Sequence, residues 1–405
     1  MISQELIAEV IDVQKEVFLK KGTGVERDQL QTIQIHESFV NVITGIRRCG
    51  KSTFLRQILK NNFQSALFLN FEDTRLAGFK TDDFRRLDAE ITKRKINVLF
   101  FDEIQMLENW ELYVRQKIDE GFQIIVTGSN ATLLSHELGT KLTGRHLSSE
   151  LFPFSYTEFL KFKKLESSYE SVKMYLESGG FPEYLKTNLP TILNQLLDDI
   201  LYRDIAVRYG VRDIVSLRKL AVYLISNIGK QVSATNLTKL FDIKAVSTML
   251  EYFSHLENTY IVQFVPKFSY SLKAQIRNPK KVYTIDLGLF AHNSVVFTEE
   301  SGRRLENLVY LHLRRKYKEI YYFSEKKECD FVVIEKEKPR ALIQVCYELN
   351  EDNLMRELEG TFEVLRFFKE KKAVIVTMNQ KDRFEKDGLI VEVISLQELL
   401  EGAVV

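Results

Sequence analysis

Short apolar runs and helical patterns alternate along the chain up to residue 155. Residues 2–20 place Leu6, Val10, Val13 and Val17 at helical intervals, which predicts an amphipathic leading helix. Strands that alternate with helices indicate a parallel sheet covered on both faces. The predicted strands are 39–45, 66–73, 96–103 and 122–130, with an edge strand in 145–155, and the predicted helices are 51–62, 81–95 and 109–120.

From residue 156 the pattern changes to long, aromatic-rich helical segments, interrupted by "SGGFPEYL" at 178–185. Within 229–268, two short helical patterns, "SATNLTKLF" and "KAVSTMLEYFSHLE", precede an apolar ribbon, "TYIVQFVPKF". This order is typical of a winged helix. From 281 the chain predicts strands again, in "KVYTIDLGL", "IYYFSEKKECDFVVIEK", "RALIQVCYEL" and "KAVIVTM".

A winged helix would place Lys244, Ser247 and Thr248 near the start of its recognition helix. Two roles remain open for this segment. It either contacts DNA directly or packs as a lid or connector between domains. The lysines that would contact phosphates are Lys230, Lys239, Lys244 and Lys267.

The composition narrows the class of protein. A chain of 405 residues exceeds one ordinary core and predicts two or three domains, and 45% hydrophobic with 28% charged residues is typical of globular proteins. A net charge of +1 means that any nucleic-acid surface would be a local basic patch. The three cysteines lack zinc spacing, and neither a signal peptide nor a membrane span is evident. We therefore expect a cytoplasmic protein without a membrane segment.

The stretch "GIRRCGKS" fits the phosphate-loop pattern G-x-x-x-x-G-K-[ST] and lies between a predicted strand and a predicted helix. Glycines allow backbone N–H groups to surround phosphates, and the helix N-terminus adds favourable partial charge. Lys51 would reach the outer phosphates of ATP, and the Ser52 hydroxyl would ligate Mg²⁺. The predicted nucleotide-binding residues are Gly45, Ile46, Arg47, Arg48, Cys49, Gly50, Lys51, Ser52 and Thr53.

Two later strands end in residues that suit the same site. "VLFFDE" predicts that Asp102 holds Mg²⁺ and that Glu103 polarises the attacking water. "VTGSN" ends the next strand, so Ser129 or Asn130 is a candidate to sense the γ-phosphate, although a helix N-cap for 131–138 is the alternative. Arg145 in "KLTGRH" is either a catalytic cation, acting in its own or a neighbouring subunit, or a solvated arginine.

Five motifs together, "GIRRCGKST", "FFDEIQ", "VTGSNATLL", "LTGRH" and "SGGFPEYL", resemble a prokaryotic AAA-type ATPase family with a C-terminal DUF4143 domain. The resemblance implies an ATPase core, a winged-helix segment and a domain similar to PD-(D/E)XK nucleases. The expected fold is α/β: a P-loop NTPase parallel sheet, a helical lid with a winged-helix-like segment, and a small α/β restriction-endonuclease-like domain. The predicted boundaries are 1–155, 156–280 and 281–405.

A nuclease site of that kind requires acids that hold Mg²⁺ and a lysine that stabilises developing charge. The chain offers Glu306 on a helix, Asp330 on a strand and Gln344 on the next strand, but Cys346 stands at the lysine position. Lys326, Lys327 or Arg356 could substitute for it. We therefore predict a degenerate nuclease site. Cys329 and Cys346 are expected on adjacent strands as small buried side chains.

Three hypotheses remain. The first is a DNA-associated ATPase, and the second is a nucleotide-gated signalling or scaffold ATPase with a protein partner. The third is an ATP-dependent, Mg²⁺-dependent nuclease. A homo-oligomer is compatible with each, because ATPases of this class often complete the site with a second subunit.

Overall fold

The computed structural model describes residues 2–131, 142, 144–295 and 300–402, and it has a mixed α/β architecture. The chain divides into two compact units, Met1–Phe152 (unit 1) and Pro153–Val405 (unit 2). Within the described ranges, no helix is both long enough and apolar enough to cross a membrane.

Unit 1 contains a parallel five-stranded sheet in the order β2-β3-β4-β1-β5, as the alternating sequence pattern predicts. Its strands are β1 (Val40–Thr44), β2 (Leu67–Asn70), β3 (Val98–Asp102), β4 (Gln123–Gly128) and β5 (His146–Glu150), and its helices are α1 (Gln4–Lys20), α2 (Lys51–Asn62), α3 (Asp83–Arg94) and α4 (Trp110–Asp119).

Burial explains which strands are central. All five residues of both β1 and β3 are buried, as expected for strands covered on both faces of a parallel sheet. At the edge, β5 is more polar and contains no fully buried residue. The leading helix α1 forms as predicted and contributes Ile7, Val10 and Ile11 to the core.

The strand order brings several carboxyl ends together. Register pairs Asn70 with Asp102 across β2 and β3, and Thr44 with Gly128 across β1 and β4. Because all the strands run parallel, the residues that follow them lie along one edge of the sheet. The β1–α2 loop, Asp102 and the end of β4 therefore meet at this edge.

Unit 2 begins with helices and ends with a six-stranded mixed sheet, β13-β14-β12-β11-β10-β9. A smaller antiparallel sheet has the order β6-β8-β7. The strands are β6 (Gln231–Val232), β7 (Val262–Pro266), β8 (Lys280–Thr284), β9 (Glu319–Ser324), β10 (Glu328–Glu335), β11 (Lys338–Val345), β12 (Lys372–Thr377), β13 (Asp382–Lys386) and β14 (Leu389–Ser395).

The helices of unit 2 include two in the segment that suggests a winged helix, α10 and α11, which β7 and β8 follow. The winged-helix assignment itself remains a prediction. The helices are α5 (Tyr156–Lys163), α6 (Tyr169–Ser178), α7 (Pro182–Thr187), α8 (Thr191–Asp199, extended by the π-helical Ile200–Val207), α9 (Ile214–Ser226), α10 (Ala234–Leu240), α11 (Val246–Asn258), α12 (Leu272–Arg277), α13 (Leu287–Asn293), α14 (Ser301–Arg314), α15 (Leu354–Phe368) and α16 (Leu396–Leu400).

One predicted strand is shorter than expected. The apolar run "KVYTIDLGL" continues past Thr284, but β8 ends there and α13 begins at Leu287, directly after Asp286. The Asp286 carboxylate accepts hydrogen bonds from the N–H groups of Gly288 at 2.7 Å and Leu289 at 3.3 Å. An N-cap aspartate therefore starts a helix inside the run that the pattern assigns to a strand.

The "SGGFPEYL" motif also contacts this cap. Gly180 donates its N–H to Asp286 at 2.6 Å. At Gly179, which has φ +68°, a Cβ atom would lie 2.3 Å from the same carboxylate. Burial raises the pKa of Asp286 to about 7, although the three N–H donors oppose this shift. The motif therefore has a structural role within unit 2.

We predict that Asp286→Ala destabilises α13 by about 3 kcal/mol, because three buried N–H groups would lose their acceptor. Native-state hydrogen exchange of peptides covering Leu287–Asn293 measures the free energy of local opening. Asp213→Ala is the matched control, since Asp213 is an exposed N-cap whose side chain accepts from the Ser216 N–H at 3.0 Å. Its expected cost is about 1 kcal/mol in Ile214–Ser226. Equal losses in the two helices would contradict the role of the three-donor cap.

Candidate functional site

The glycine-rich loop lies between β1 and the N-terminus of α2 at the carboxyl edge of the unit 1 sheet. Gly45 and Gly50 have φ values of +152° and +106°. A Cβ atom on Gly45 would lie 2.1 Å from the carbonyl oxygen of Leu151. The backbone path therefore requires glycine at this position, as the phosphate-loop pattern predicts.

Lys51 is buried within the loop. Its Nζ donates to the carbonyl oxygen of Gly45 at 3.0 Å and lies 3.7 Å from the Glu103 carboxylate. Burial disfavours the charged ammonium, but Glu103 and other neighbouring anionic groups outweigh this effect and hold the pKa of Lys51 above its usual value. Lys51 is therefore a charged cation at the loop.

Asp102 is almost fully buried at the end of β3. Its Oδ2 accepts from the Ser52 hydroxyl at 2.7 Å and from Asn70 Nδ2 at 3.3 Å, and its Oδ1 accepts from Thr127 Oγ1. Burial and the neighbouring Glu103 raise the pKa of Asp102. Hydroxyl and carboxylate oxygens are the ligands that Mg²⁺ prefers. Ser52 and Asp102 thus fit the metal that the sequence predicts.

Glu103 has a left-handed backbone conformation, with φ +55°, directly after β3. Its N–H donates to Thr127 Oγ1 at 3.3 Å, and its carboxylate accepts from the side chain of Gln105. Thr127 on β4 thus fixes both acidic residues of the "VLFFDE" motif. Sequence reasoning missed Thr127 and Asn70, although both lie at strand ends that point to this edge.

The other loop residues have separate surroundings. Arg47 donates to Glu72 at 2.9 Å, and Thr53 Oγ1 accepts from Arg56 at 2.7 Å. Ile46 and Cys49 are buried, burial raises the pKa of the Cys49 thiol, and Arg48 has φ +64°.

Arg27 supports the loop from an unpredicted position. It is 3% exposed, and its Nη1 donates to the carbonyl oxygen of Cys49 at 2.9 Å. Its backbone N–H donates to Gln57 of α2 at 3.1 Å. No motif in the sequence identifies this arginine, because its contacts depend on tertiary structure.

The two remaining predicted residues lie in different places. Asn130 is fully buried just beyond β4, whose carboxyl end lies between the loop and Asp102. Arg145 is at the opposite, amino edge, where its carbonyl accepts from Val40 and its Nη1 pairs with Asp119 at 2.7 Å. The structure does not bring Arg145 to the loop of its own chain. The residues 132–141 and 143 of these motifs lie outside the described residues.

A second cluster of charged side chains is buried in unit 2. Lys281 Nζ lies 2.6 Å from Asp330, 2.6 Å from Glu328 and 3.1 Å from Glu306. Burial opposes the charged form, but Asp330 and Glu306 outweigh it and hold the pKa of Lys281 well above its usual value. Burial and the Asp330 charge raise the pKa of Glu306 to about 7. The predicted acids Glu306 and Asp330 are therefore brought together around a lysine from β8.

Gln344 joins this cluster, but Cys346 does not. The Gln344 side chain accepts from the Asp330 N–H at 3.1 Å and donates to Glu357 at 2.7 Å. Cys346 donates to the carbonyl oxygen of Glu348 at 3.1 Å, and burial raises its thiol pKa to about 11. The carboxylates of Asp330 and Glu306 still have a cation beside them, because Lys281 pairs with both.

The substitutes suggested by the sequence have other partners. Lys327 pairs with Glu359 at 3.0 Å, Arg356 pairs with Glu357 at 2.6 Å, and the Lys326 N–H donates to Glu363. Lys281 is the cation that pairs with Asp330 and Glu306. The sequence does not reveal this pairing, because Lys281 lies on β8 of the small antiparallel sheet, 49 residues before Asp330 in the chain.

Three family models match successive parts of the chain. The first, described as "AAA domain", matches residues 37–160. A domain of unknown function, DUF8612, matches 169–300, and another, DUF4143, matches 301–399. The AAA and DUF4143 assignments suggested by the sequence are thereby confirmed.

A Methanocaldococcus jannaschii protein named "Uncharacterized protein MJ1544" is 35% identical over 417 residues, covering 95% of this chain and 92% of that protein. An "Uncharacterized protein" of Haemophilus influenzae is 31% identical over 382 residues, covering 89% of this chain and 94% of the other. The crystal structure of Cdc6p from Pyrobaculum aerophilum is similar over 62% of this chain and 90% of its own, at 16% identity and a TM-score of 0.30. This chain therefore belongs to the same family as the archaeal and bacterial relatives, and its residues 37–160 form an AAA domain.

Proposed function

We propose that this protein hydrolyses ATP at the loop of unit 1 and associates with DNA through unit 2. The AAA domain supports ATP binding and hydrolysis. The observation that carries the ATPase proposal is the convergence of Lys51, Ser52, Asp102 and Glu103 at one sheet edge, with Lys51 Nζ 3.7 Å from Glu103 and Ser52 Oγ 2.7 Å from Asp102.

Each residue at the loop has a separate role in ATP hydrolysis. Backbone N–H groups of the loop and the N-terminus of α2 bind the phosphates, and Lys51 neutralises the outer ones. Ser52 and Asp102 hold Mg²⁺, which when bound neutralises charge that develops on the phosphate oxygens. Glu103 orients and polarises water, and Asn130 contacts the γ-phosphate from the end of β4.

We predict that Lys51→Ala and Glu103→Gln separate binding from turnover. Lys51→Ala removes the buried cation and should weaken Mg·ATP binding by roughly 10-fold or more and abolish hydrolysis. Glu103→Gln keeps the shape but loses the base, so binding should stay within about twofold while turnover falls by roughly 100-fold or more. Isothermal titration and steady-state phosphate release measure the two effects.

Glu108→Gln is the control, because Glu108 is an exposed glutamate in the segment that follows β3. It should leave both quantities unchanged. Wild-type turnover in Glu103→Gln would contradict the assignment of the base.

The DNA proposal is supported by the connection between β7 and β8. Residues 267–279, which form this connection, contain three basic and no acidic residues. Lys273 and Arg277 are exposed, and Tyr270 is 82% exposed with its ring stacked on Phe367 at 6.1 Å. Cations beside an exposed aromatic ring suit phosphates and bases. On a chain with a net charge of only +1, a nucleic-acid surface would have to be a local basic patch, and this exposed segment is such a patch.

We predict that the double variant Lys273→Ala, Arg277→Ala weakens duplex binding by at least roughly 10-fold and lowers the log–log salt slope by roughly 1.8, since two phosphate contacts would be lost. Fluorescence anisotropy over a series of salt concentrations measures both. Lys336→Ala, Lys338→Ala removes the same charge from an exposed hairpin of unit 2 and should change neither. Salt-independent binding, or none, would favour a protein partner for this ATPase.

A second candidate function is Mg²⁺-dependent nuclease activity, favoured by the position of Lys281. Asp330 and Glu306, which both pair with Lys281, would supply carboxylate oxygens to a divalent cation, and Lys281 would stabilise charge on a phosphate. Among the described residues, no group of three or more His, Cys, Asp or Glu side chains is arranged to hold a metal. A bound ion would therefore rely on this pair of carboxylates.

We predict that any Mg²⁺- or Mn²⁺-dependent nicking of plasmid DNA falls by roughly 100-fold or more in Lys281→Met and in Asp330→Asn, because each removes a group needed at the phosphate. Cys346→Ala should retain the full rate, since its thiol does not contact the carboxylates. Nicking that survives Asp330→Asn, or none in the wild type, would overturn this second function.

A further inference from the structure

The leading helix α1 precedes the region matched by the AAA model, yet one of its polar residues is bonded into the edge of the sheet. Gln14 is only 9% exposed on a helix whose other buried residues are Ile7, Val10, Ile11 and Phe18. A buried amide costs free energy unless it is hydrogen-bonded. Its partners therefore indicate what this position does.

Gln14 binds both backbone groups of Asn70, the last residue of β2. Its Oε1 accepts from the Asn70 N–H at 2.7 Å, and its Nε2 donates to the Asn70 carbonyl oxygen at 3.0 Å. Nε2 also donates to Asp73 at 2.9 Å. The side chain thus pairs with Asn70 as a neighbouring peptide group would, and it fixes the backbone where β2 ends.

Asn70 in turn contacts the metal-holding carboxylate. Its Oδ1 accepts from the Glu72 N–H at 2.8 Å, which leaves Nδ2 directed to Asp102 Oδ2 at 3.3 Å. The same oxygen accepts from the Ser52 hydroxyl at 2.7 Å. One residue, Asn70, therefore links Gln14 to the oxygen that would bind Mg²⁺: Gln14 hydrogen-bonds the Asn70 backbone, and the Asn70 side chain hydrogen-bonds Asp102.

A cavity of about 380 Å³ lies at the same place. Val13, Gln14 and Phe18 of α1 line one part of it, and Ser52 and Asp102 line another. The inner face of α1 thus borders the metal end of the nucleotide site directly.

Attachment of the helix does not depend on this amide alone. Gln4, on the same helix, makes a comparable bond by donating to Glu90 at 3.0 Å, without contact to the nucleotide site. Gln4 therefore offers a matched comparison. Both glutamines attach α1 to the rest of unit 1, but of the two it is Gln14 that is linked to Asp102, through Asn70.

We propose that Gln14 is a positioning residue for the Mg²⁺-binding carboxylate of Asp102, acting through Asn70. The inference rests on the proposed ATPase function of the same site. Loss of the Gln14 amide frees the end of β2, so Asn70 no longer holds Asp102 Oδ2 in place. The metal, and not the nucleotide itself, then binds less well.

The test compares Gln14→Ala with Gln4→Ala in the full chain. For Gln14→Ala we expect the Mg²⁺ concentration for half-maximal ATP hydrolysis to rise by roughly 5- to 10-fold, near the lower end for residues that orient metal ligands. ATP affinity in EDTA should stay within about twofold, since the phosphate loop is unchanged. Gln4→Ala should change neither quantity.

Asn70→Ala, alone and combined with Gln14→Ala, tests the route. Asn70→Ala should produce a similar shift, and adding Gln14→Ala should change it by less than about twofold, because both act on one chain of contacts. An unchanged Mg²⁺ requirement in Gln14→Ala, an equal shift in Gln4→Ala, or fully multiplicative effects would each overturn the inference.

The experiment also distinguishes a failure of the proposed ATPase function from a failure of the positioning role. Were wild-type protein to hydrolyse no ATP, the ratio of ATP affinities with Mg²⁺ and with EDTA would still measure the metal contribution. A ratio that falls in Gln14→Ala but not in Gln4→Ala would support the positioning role, and a ratio that is the same in all three proteins would overturn it.

Discussion

The buried carboxylate of Asp102 is the constraint on which the nucleotide site depends. A buried charge is costly unless it is hydrogen-bonded and compensated. Its donors come from three separate elements, because Ser52 begins α2, Asn70 ends β2 and Thr127 lies on β4. The parallel sheet, with β3 between β2 and β4, brings these groups to one carboxylate. The strand order of unit 1 and the chemistry of its edge are thus linked.

Unit 2 also contains buried carboxylates, and there a lysine compensates their charge. Three carboxylates, from Glu306, Glu328 and Asp330, surround the ammonium of Lys281, which is 2% exposed. Removing Lys281 would leave the Asp330 and Glu306 carboxylates without their buried cation, whereas the Glu328 side chain is 43% exposed and depends less on this partner. The cluster links β8 of the small antiparallel sheet to α14 and to β10 of the larger mixed sheet. It therefore has a structural role in unit 2.

Local pattern predicted most elements of unit 1, because apolar periodicity and glycine positions act over a few residues. The loop at Gly45 and the "VLFFDE" strand were predicted for this reason. The same reasoning assigned a strand across Thr284 and Asp286, where a capping carboxylate starts a helix instead. It also could not place Arg145, whose distance from the loop depends on which end of β5 it occupies.

The sequence by itself determined the α/β class, the phosphate loop and the acids of unit 1, since each motif is contiguous and its chemistry is local. Tertiary structure alone decided which distant side chains complete the sites. Gln14 contacts Asn70 across 56 residues, and Lys281 contacts Asp330 across 49. No local pattern identifies such partners, because burial and charge compensation are set by neighbours in space. The cation that pairs with Asp330 and Glu306 therefore comes from β8, and the residue at position 346 does not provide it.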